Sequence, residues 1–278
     1  MTPALEITMN SASFSKRGEL TTTTILLGMA VLAWTLTVYQ SHTMTCGMCS
    51  GMSVACPMCM GTGKPLFISL LLFLGMWATM MAAMMLPSLT PMVLLFRRIA
   101  HQRRSGGQTW VGTWVFTCGY LTSWVLLGFA AFAITRLVQW GLGAIPGISR
   151  YNETVAGLTL IVAGIYQLSP FKESCLRHCQ TPLHFVLHGW REGSWGALRM
   201  GTSHGFYCIG CCWGLMIVLF AVGLMNLGWM AALTLVMSLE KMSQRGKLIG
   251  HVAGLFLLAA GLLLAFKTGS LHGLVWQL

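Results

Sequence analysis

The sequence predicts an all-α protein, a polytopic transmembrane helix bundle of about seven helices. Three observations lead to this class. Hydrophobic residues make up 55% of the 278 residues, charged residues make up only 8%, and long apolar runs recur along the chain. Soluble domains carry about 25% charged residues, so the composition excludes an ordinary soluble fold. We therefore expect the lipid bilayer to be a partner of this chain.

The apolar runs give the individual helices, because about 18 or more consecutive apolar residues mark a membrane span. Pro87 and Pro91 lie in the second run, and they predict a span over 66–86 with a kinked extension beyond it. The sixth run is the shortest, and a re-entrant sixth helix would move only the C-terminal end to the other side. The seven candidates cover about 22–40, 66–96, 109–135, 152–170, 202–225, 227–240 and 248–267.

The basic residues predict the orientation. With the N-terminus inside, 13 of the 17 Lys and Arg residues fall on inner segments and the other four on outer segments. The positive-inside rule then predicts an inner N-terminus and an outer C-terminus. Because the basic residues follow this topology, the net charge of +11 does not indicate nucleic-acid binding.

The same topology divides the chain into regions. We expect a cytoplasmic tail over 1–21 and a single transmembrane domain over 22–278. A Cys- and Met-rich loop at 41–65 lies outside, and an interfacial segment at 171–200 lies inside. The first apolar run has no small-residue cleavage site after it, which predicts an uncleaved span and not a signal peptide.

The outer loop contains two C-x-x-C pairs, Cys46 with Cys49 and Cys56 with Cys59. Four thiolates at this spacing can close a tetrahedral metal site, and the methionines around them favour Cu(I) or Zn(II). An outer compartment is oxidising and favours disulfides or thiol-redox pairs. A metal site, disulfides and inert thiols all stay open for this loop.

A methionine stripe follows the second predicted helix. Met76, Met80 and Met84 repeat at i, i+4 and i+8, which puts them on one helix face. Thioethers in such a row would suit passage of Cu(I) along the helix. Methionine is also an adaptable packing residue, and spacing alone favours packing.

A second group of cysteines is predicted at the inner face of the membrane. Helix four is followed by a C-x3-C pair, and helix five opens with three more cysteines. A reducing cytoplasm favours free thiolates or a bound metal over a disulfide here. Packing is the alternative role for such small side chains. The residues brought to one depth are Cys175, Cys179, Cys208, Cys211 and Cys212, with His178, His204 and Glu240 as additional candidate ligands.

Two further features lie in the same region. Glu240 is a boundary carboxylate, and Lys241 beside it on the helix faces elsewhere. A partner from another helix is expected, or a role in proton or cation handling. His184 and His188 have the spacing of a metal-binding pair, although nearby tryptophans favour a short interfacial helix.

Four motifs together resemble a known family. They are Met76-Trp77 with Ala83-Met84-Met85-Leu86-Pro87, then Cys175-x3-Cys179, then Cys208-x2-Cys211-Cys212-Trp213, then Glu240-Lys241. The combination resembles bacterial proteins described as predicted metal-binding integral membrane proteins. The resemblance covers roughly 66–245, and the outer cysteine loop is not part of it. It implies a multi-pass protein of the bacterial inner (cytoplasmic) membrane that binds a metal.

No enzyme signature accompanies these motifs. The chain has no phosphate-binding G-x-x-x-x-G-K-[ST] loop, no C-x-x-C-H and no H-E-x-x-H, and it contains no Asp for a Ser-His-Asp triad. We therefore do not expect it to be an enzyme on its own. The favoured function is binding of a soft metal, copper before zinc, for handling or delivery. An accessory subunit of a larger membrane complex with a structural metal and a membrane thiol–disulfide electron carrier are the alternatives.

Overall fold

The fold is entirely helical in the part of the chain that the structure describes. This computed structural model covers residues 3–45, 65–105, 112–143, 152–223 and 226–267. Over these ranges it contains nine α-helices and no β-strand, which confirms the all-α class. The helices are α1 (Pro3–Thr45), α2 (Leu66–Ser105), α3 (Thr113–Gly143), α4 (Asn152–Gln167), α5 (Pro170–Gln180), α6 (Pro182–His188), α7 (Gly193–Val222), α8 (Leu227–Met242) and α9 (Gly246–Lys267).

Five helices are long and apolar enough to cross a membrane. The pair α4 and α5, bent by 61°, adds a sixth span if the two helices cross together. Helix α8 has 16 residues, fewer than the roughly 20 that a bilayer requires. The count of seven spans and the orientation of the termini therefore stay predictions. The five candidate spans are Gly18–His42, Leu66–Arg103, Thr113–Leu137, Gly193–Phe220 and Gly246–Phe266.

The outer faces of these helices are apolar. Large hydrophobic side chains stay uncovered on several of them, with Leu263 of α9 71% exposed and Phe67 of α2 68% exposed. Exposed apolar surface of this kind is unfavourable in water. In a membrane the apolar lipid tails cover it, and the backbone hydrogen bonds are already made within each helix. The exposed faces and the long apolar helices together support a membrane protein.

The methionine stripe of α2 lies in the protein core. Met76, Met80 and Met84 are all at most 2% exposed. On the same helix, the indole Nε1 of Trp77 donates to the backbone oxygen of Trp124 on α3 at 2.9 Å. These positions agree with the packing role for the stripe, while a role in copper passage stays a prediction.

Helix α2 continues through Pro87 and Pro91 as far as Ser105. Each proline lacks an N–H and so frees a backbone oxygen one turn earlier. These are the oxygens of Ala83 and Pro87. Ser88 Oγ donates to the Met85 oxygen and Thr90 Oγ1 to the Leu86 oxygen, both at 3.0 Å, so hydroxyl groups bond within the helix beside the prolines. The segment after Pro87 is thus part of the same helix.

Helices α3 and α7 approach closely through glycine. A Cβ atom on Gly201 of α7 would overlap the backbone oxygen of Phe116 on α3, and one on Gly119 would overlap the oxygen of Leu198. Ser123 Oγ of α3 also donates to the Thr202 oxygen of α7 at 3.0 Å. Small residues permit this approach in membrane helices, and it fixes α7 against α3.

Replacing Gly201 by valine is therefore expected to lower stability by about 1–3 kcal/mol, because overpacking forces the two backbones apart. The apparent thermal unfolding midpoint of the detergent-purified protein measures this. Gly28→Val is the matched control, since Gly28 of α1 is exposed and has no neighbour within 4 Å of a new Cβ. Equal midpoints for the two variants would contradict the close approach.

Candidate metal centre

Three buried cysteines form a cluster on α7. Cys208, Cys211 and Cys212 are spaced at i, i+3 and i+4, so they share one face of the helix. Their Sγ atoms all lie within 4.8 Å of one another, and those of Cys211 and Cys212 are 3.4 Å apart. All three side chains are at most 2% exposed. This geometry agrees with the prediction that these thiols lie at one depth, while their role as metal ligands stays a prediction.

A fourth sulfur comes from α5. The Cys179 Sγ lies 3.8 Å from the Cys211 Sγ. Helix α5 reaches this place because the chain breaks after α4 at Ser169, whose Oγ accepts the backbone N–H of Lys172, and Pro170 opens the new helix. The 61° bend then lets α5 pack on α7.

The four sulfurs fit a soft metal ion. Metal–thiolate bonds of about 2.3 Å in a tetrahedral site place the sulfurs about 3.8 Å apart. The observed separations of 3.4 and 3.8 Å, and the 4.8 Å limit within the α7 cluster, need only small side-chain shifts. The six cysteines that the structure describes are free thiols. Thiolate donors without carboxylates suit Cu(I) or Zn(II) and not hard ions.

A lysine lies against the cluster. The Nζ of Lys241, on α8, is 3.0 Å from the Cys208 Sγ and donates to Ser88 Oγ at 3.3 Å. The hydroxyl of Tyr120 is also 3.0 Å from the Cys208 Sγ. Burying an unpaired charge costs several kcal/mol per ion. The ammonium group offsets this cost for the thiolate form, which is the form that binds metals.

A buried ion pair holds the end of α8 in place. Lys172 Nζ lies 2.7 Å from both carboxylate oxygens of Glu240, and the two side chains are only 3% and 2% exposed. Gln167 Nε2 donates to the same carboxylate, and Gln180 Nε2 donates to the Glu240 backbone oxygen. The expected partner from another helix is thus confirmed. A role of Glu240 as a metal ligand stays a prediction.

The ion pair also positions the next residue. Neighbours on a helix point in different directions, so Glu240 faces Lys172 while Lys241 faces Cys208. One turn of α8 therefore connects the ion pair with the thiol cluster. Neither contact is visible as a local motif in the sequence, although Lys172, Glu240 and Lys241 all occur in the stretch that resembles the metal-binding family.

Two other candidate ligands have different neighbours. Cys175 is half-buried, and its Sγ lies where a Cβ on Gly210 would be 2.7 Å away. The His178 ring stacks on Tyr207 with centroids 4.2 Å apart, and its Nδ1 lies 2.9 Å from the Ser174 oxygen. Their assignment as ligands stays a prediction.

His204 is buried in an aromatic environment one turn before Cys208. The rings of Phe116, Tyr120 and Phe185 surround it at centroid distances of 5.3 to 6.2 Å. Its side chain is 4% exposed, and its Nδ1 has no hydrogen-bond partner among the described residues. A buried nitrogen without a partner costs roughly 1–3 kcal/mol, so a ligand bound beside it would remove a penalty.

A cavity of about 330 Å³ adjoins the cluster. Its wall contains Cys179 and Cys208, together with His204 and Lys241. The four cysteines therefore form two groups: Cys179 and Cys208 line the cavity, whereas Cys211 and Cys212 do not. The predicted inner site is therefore a buried sulfur cluster with a cavity along one side.

Some of the predicted ligands lie outside the residues that the structure describes. Cys46, Cys49, Cys56 and Cys59 of the outer loop fall outside the described residues. Helix α6 includes the backbone of His184 and His188, but their side chains are likewise outside the described part. The choice between metal, disulfide and inert thiols in the loop stays open, as does the metal role of this histidine pair.

Comparison with known proteins adds one family. Residues 74–264, well over half of the chain, match a family described as "PpoB2: Copper chaperone". The matched stretch contains α3 to α8 and the whole inner cluster, and it excludes the outer cysteine loop. Neither a curated protein nor a solved structure matches this chain. A metal-binding family is thus confirmed, while the particular motifs expected from the sequence stay predictions.

Proposed function

This chain belongs to the PpoB2 family of copper chaperones, and from that premise we propose that it is a membrane-embedded Cu(I) chaperone. The ion is cargo, held by the thiolates of Cys208, Cys211 and Cys212 with Cys179 beside them. The observation that carries this proposal is the convergence of the three buried sulfurs of α7 within 4.8 Å. Zinc is the second candidate, because thiolates bind it as well.

The family match supports copper over zinc. A structural zinc site is almost always tetrahedral and closed by four ligands. Here the Cys179 sulfur of α5 lies 3.8 Å from that of Cys211, so the four sulfurs match a tetrahedral zinc site as well as a copper site. The Met85 Sδ lies 3.6 Å from the Lys241 Nζ, which in turn contacts Cys208. Soft sulfur ligands suit both Cu(I) and Zn(II), so the sulfur set by itself does not separate the two ions.

The cysteines, Lys241 and the buried ion pair have different roles in binding the ion. The α7 cysteines supply the bonds, and their burial keeps water away from a metal that is easily oxidised. Lys241 offsets part of the negative charge of the thiolates. The Glu240–Lys172 pair fixes the end of α8 so that Lys241 stays within 3.0 Å of Cys208. The ion is taken up and released by exchange of metal–sulfur bonds, with no change in its oxidation state.

We further propose the inner membrane of a bacterium as the location, with the cluster near its cytoplasmic face. The support is the bias of basic residues toward the segments around α5 and the start of α7. The outer-loop cysteines would then form a separate sulfur site on the opposite side.

Copper analysis of three samples tests the proposal. They are the wild type, an outer-loop variant with Cys46, Cys49, Cys56 and Cys59 changed to serine, and the same variant first loaded with Zn(II). Each sample is given Cu(I) and desalted anaerobically. The outer-loop variant is expected to retain one Cu(I) per chain and to exchange bound Zn(II) for Cu(I). A loop variant without copper would move the site to the loop and overturn the assignment to α7.

Alkylation of the same samples separates the alternatives. The inner cysteines are expected to react as free thiols without copper and to be protected with it. A thiol–disulfide carrier would instead show pairs that react only after reduction. Co-purification in mild detergent tests the proposal that other membrane subunits are partners, and stoichiometric subunits without copper would favour the accessory function.

A further inference from the structure

The cavity beside the cluster opens to the surface between α2 and α8. Its wall includes Pro91, which is exposed, and Met242, which is 63% exposed. The same wall includes Cys179 and Cys208. A ligand that enters at Met242 therefore meets these two cysteines before it meets Cys211 or Cys212.

The size of the cavity limits what it can hold. Its volume of about 330 Å³ lies at the lower end of the range for small-molecule sites, which is about 300–1,000 Å³. A molecule up to the size of a tripeptide fits this volume, whereas the folded loop of a carrier protein does not.

The lining favours an anionic ligand. Lys241 and His204 are both part of the wall, and Ser88 and Gln180 add hydrogen-bonding groups. No Asp or Glu is among the described residues that line the cavity. The nearest carboxylate along the chain, Glu240, is engaged by Lys172. A carboxylate beside Lys241 would thus meet no carboxylate of the described wall, and the sulfurs of Cys179 and Cys208 are left to face the ligand's copper ion.

His204 provides an independent sign of a ligand. It lines the cavity, it is almost completely buried, and its Nδ1 lacks a partner within the described part of the chain. Buried polar groups are normally hydrogen-bonded. The polar group of a bound molecule would satisfy this nitrogen.

We propose that this cavity binds a small anionic thiol that carries Cu(I) and passes the ion to Cys208. The inference rests on the proposed function and adds the chemical class of the copper donor. In the transfer, the bond between Cu(I) and the donor sulfur breaks while a bond between Cu(I) and Sγ of Cys208 forms. The donor leaves as a thiolate, and copper stays in the +1 state. Cys211 and Cys212, which are outside the cavity wall, then complete the site.

The test uses the Cu(I) complex of glutathione as donor and the full-length outer-loop variant in detergent, in which only the inner cluster takes up copper; this protein is the wild-type reference for the substitutions below. Copper bound to the protein is measured after rapid desalting at increasing times. Met242→Trp narrows the cavity mouth, and Met242→Leu is the matched control. Transfer is expected to slow about tenfold or more in the tryptophan variant, within the range of about 1–3 decades over which association rates vary among variants. The leucine variant is expected to match the wild type.

A second measurement needs no variant. S-methylglutathione has the size and charge of glutathione but no free thiolate, so an excess of it is expected to slow transfer to the wild type. His204→Phe preserves the aromatic packing and is expected to weaken this inhibition. Unchanged transfer in the presence of S-methylglutathione would overturn the proposed donor site.

The outcomes for the donor site and for the chaperone function are distinct. If the final copper content of the outer-loop variant is one ion per chain and its rates are insensitive to S-methylglutathione and to Met242→Trp, the cavity is not the donor site. If the wild type takes up no copper from any donor, the chaperone function itself fails. Slower transfer with an unchanged final copper content supports both.

Discussion

Replacing Cys211 and Cys212 by serine is expected to lower the Cu(I) affinity of the inner cluster by more than about 100-fold. Loss of a single group that supports a ligand typically costs about 10–100-fold in metal affinity, and this variant loses two sulfurs of the compact group. Competition with a chromogenic Cu(I) chelator measures the affinity. The experiment is done in the variant that lacks the four outer-loop cysteines, so that the measured Cu(I) affinity is that of the inner cluster alone.

Cys118→Ser is the control for this prediction. Cys118 is an exposed free thiol on α3, two residues before Tyr120, and it is outside the sulfur group. Its replacement is expected to leave the affinity unchanged. An equal effect of both substitutions, or no effect of the double substitution, would contradict the assignment of copper to α7.

Replacing Lys172 by methionine is expected to destabilise the protein by about 3–5 kcal/mol, because it leaves the Glu240 carboxylate buried without its cation. The result is measured as a lower apparent unfolding midpoint in detergent. Replacement of both residues in the double variant Lys172→Met with Glu240→Leu is expected to recover part of the lost stability, since no isolated buried charge remains.

Lys247→Met provides a matched control for the same chemistry at the surface. Lys247 pairs with Glu173 at 2.8 Å, but its side chain is 60% exposed. Exposed ion pairs contribute about 0–1 kcal/mol, so this variant is expected to unfold close to the wild type. Equal midpoints for Lys172→Met and Lys247→Met would show that burial of the Glu240 pair does not govern its contribution.

The general architecture was predictable because it depends on local composition. Apolar runs follow directly from the bilayer thickness, and the run at 248–267 corresponds to α9 (Gly246–Lys267). The helix boundaries were harder to predict from apolar runs where the adjoining polar sequence is also helical. Helix α1 begins at Pro3, although its candidate span begins only at Gly18.

The candidate site was predictable in part. The spacing of Cys208, Cys211 and Cys212 follows from helix geometry, and the predicted topology brought Cys179 to the same depth. The contacts of Lys241 with Cys208 and of Lys172 with Glu240 were not predictable. They depend on how each helix is rotated about its axis, which is fixed by packing across the bundle and leaves no local pattern in the sequence.

Copper-edge X-ray absorption of the Cu(I)-loaded outer-loop variant tests the central claim most directly. The thiol cluster of α7 predicts a first shell made of sulfur only, because the three sulfurs lie within 4.8 Å of one another and no carboxylate of the described residues joins them. Removal of Cys208, Cys211 and Cys212 together is expected to abolish this shell. A shell dominated by nitrogen or oxygen, or an unchanged spectrum after removal of the three cysteines, would contradict the account.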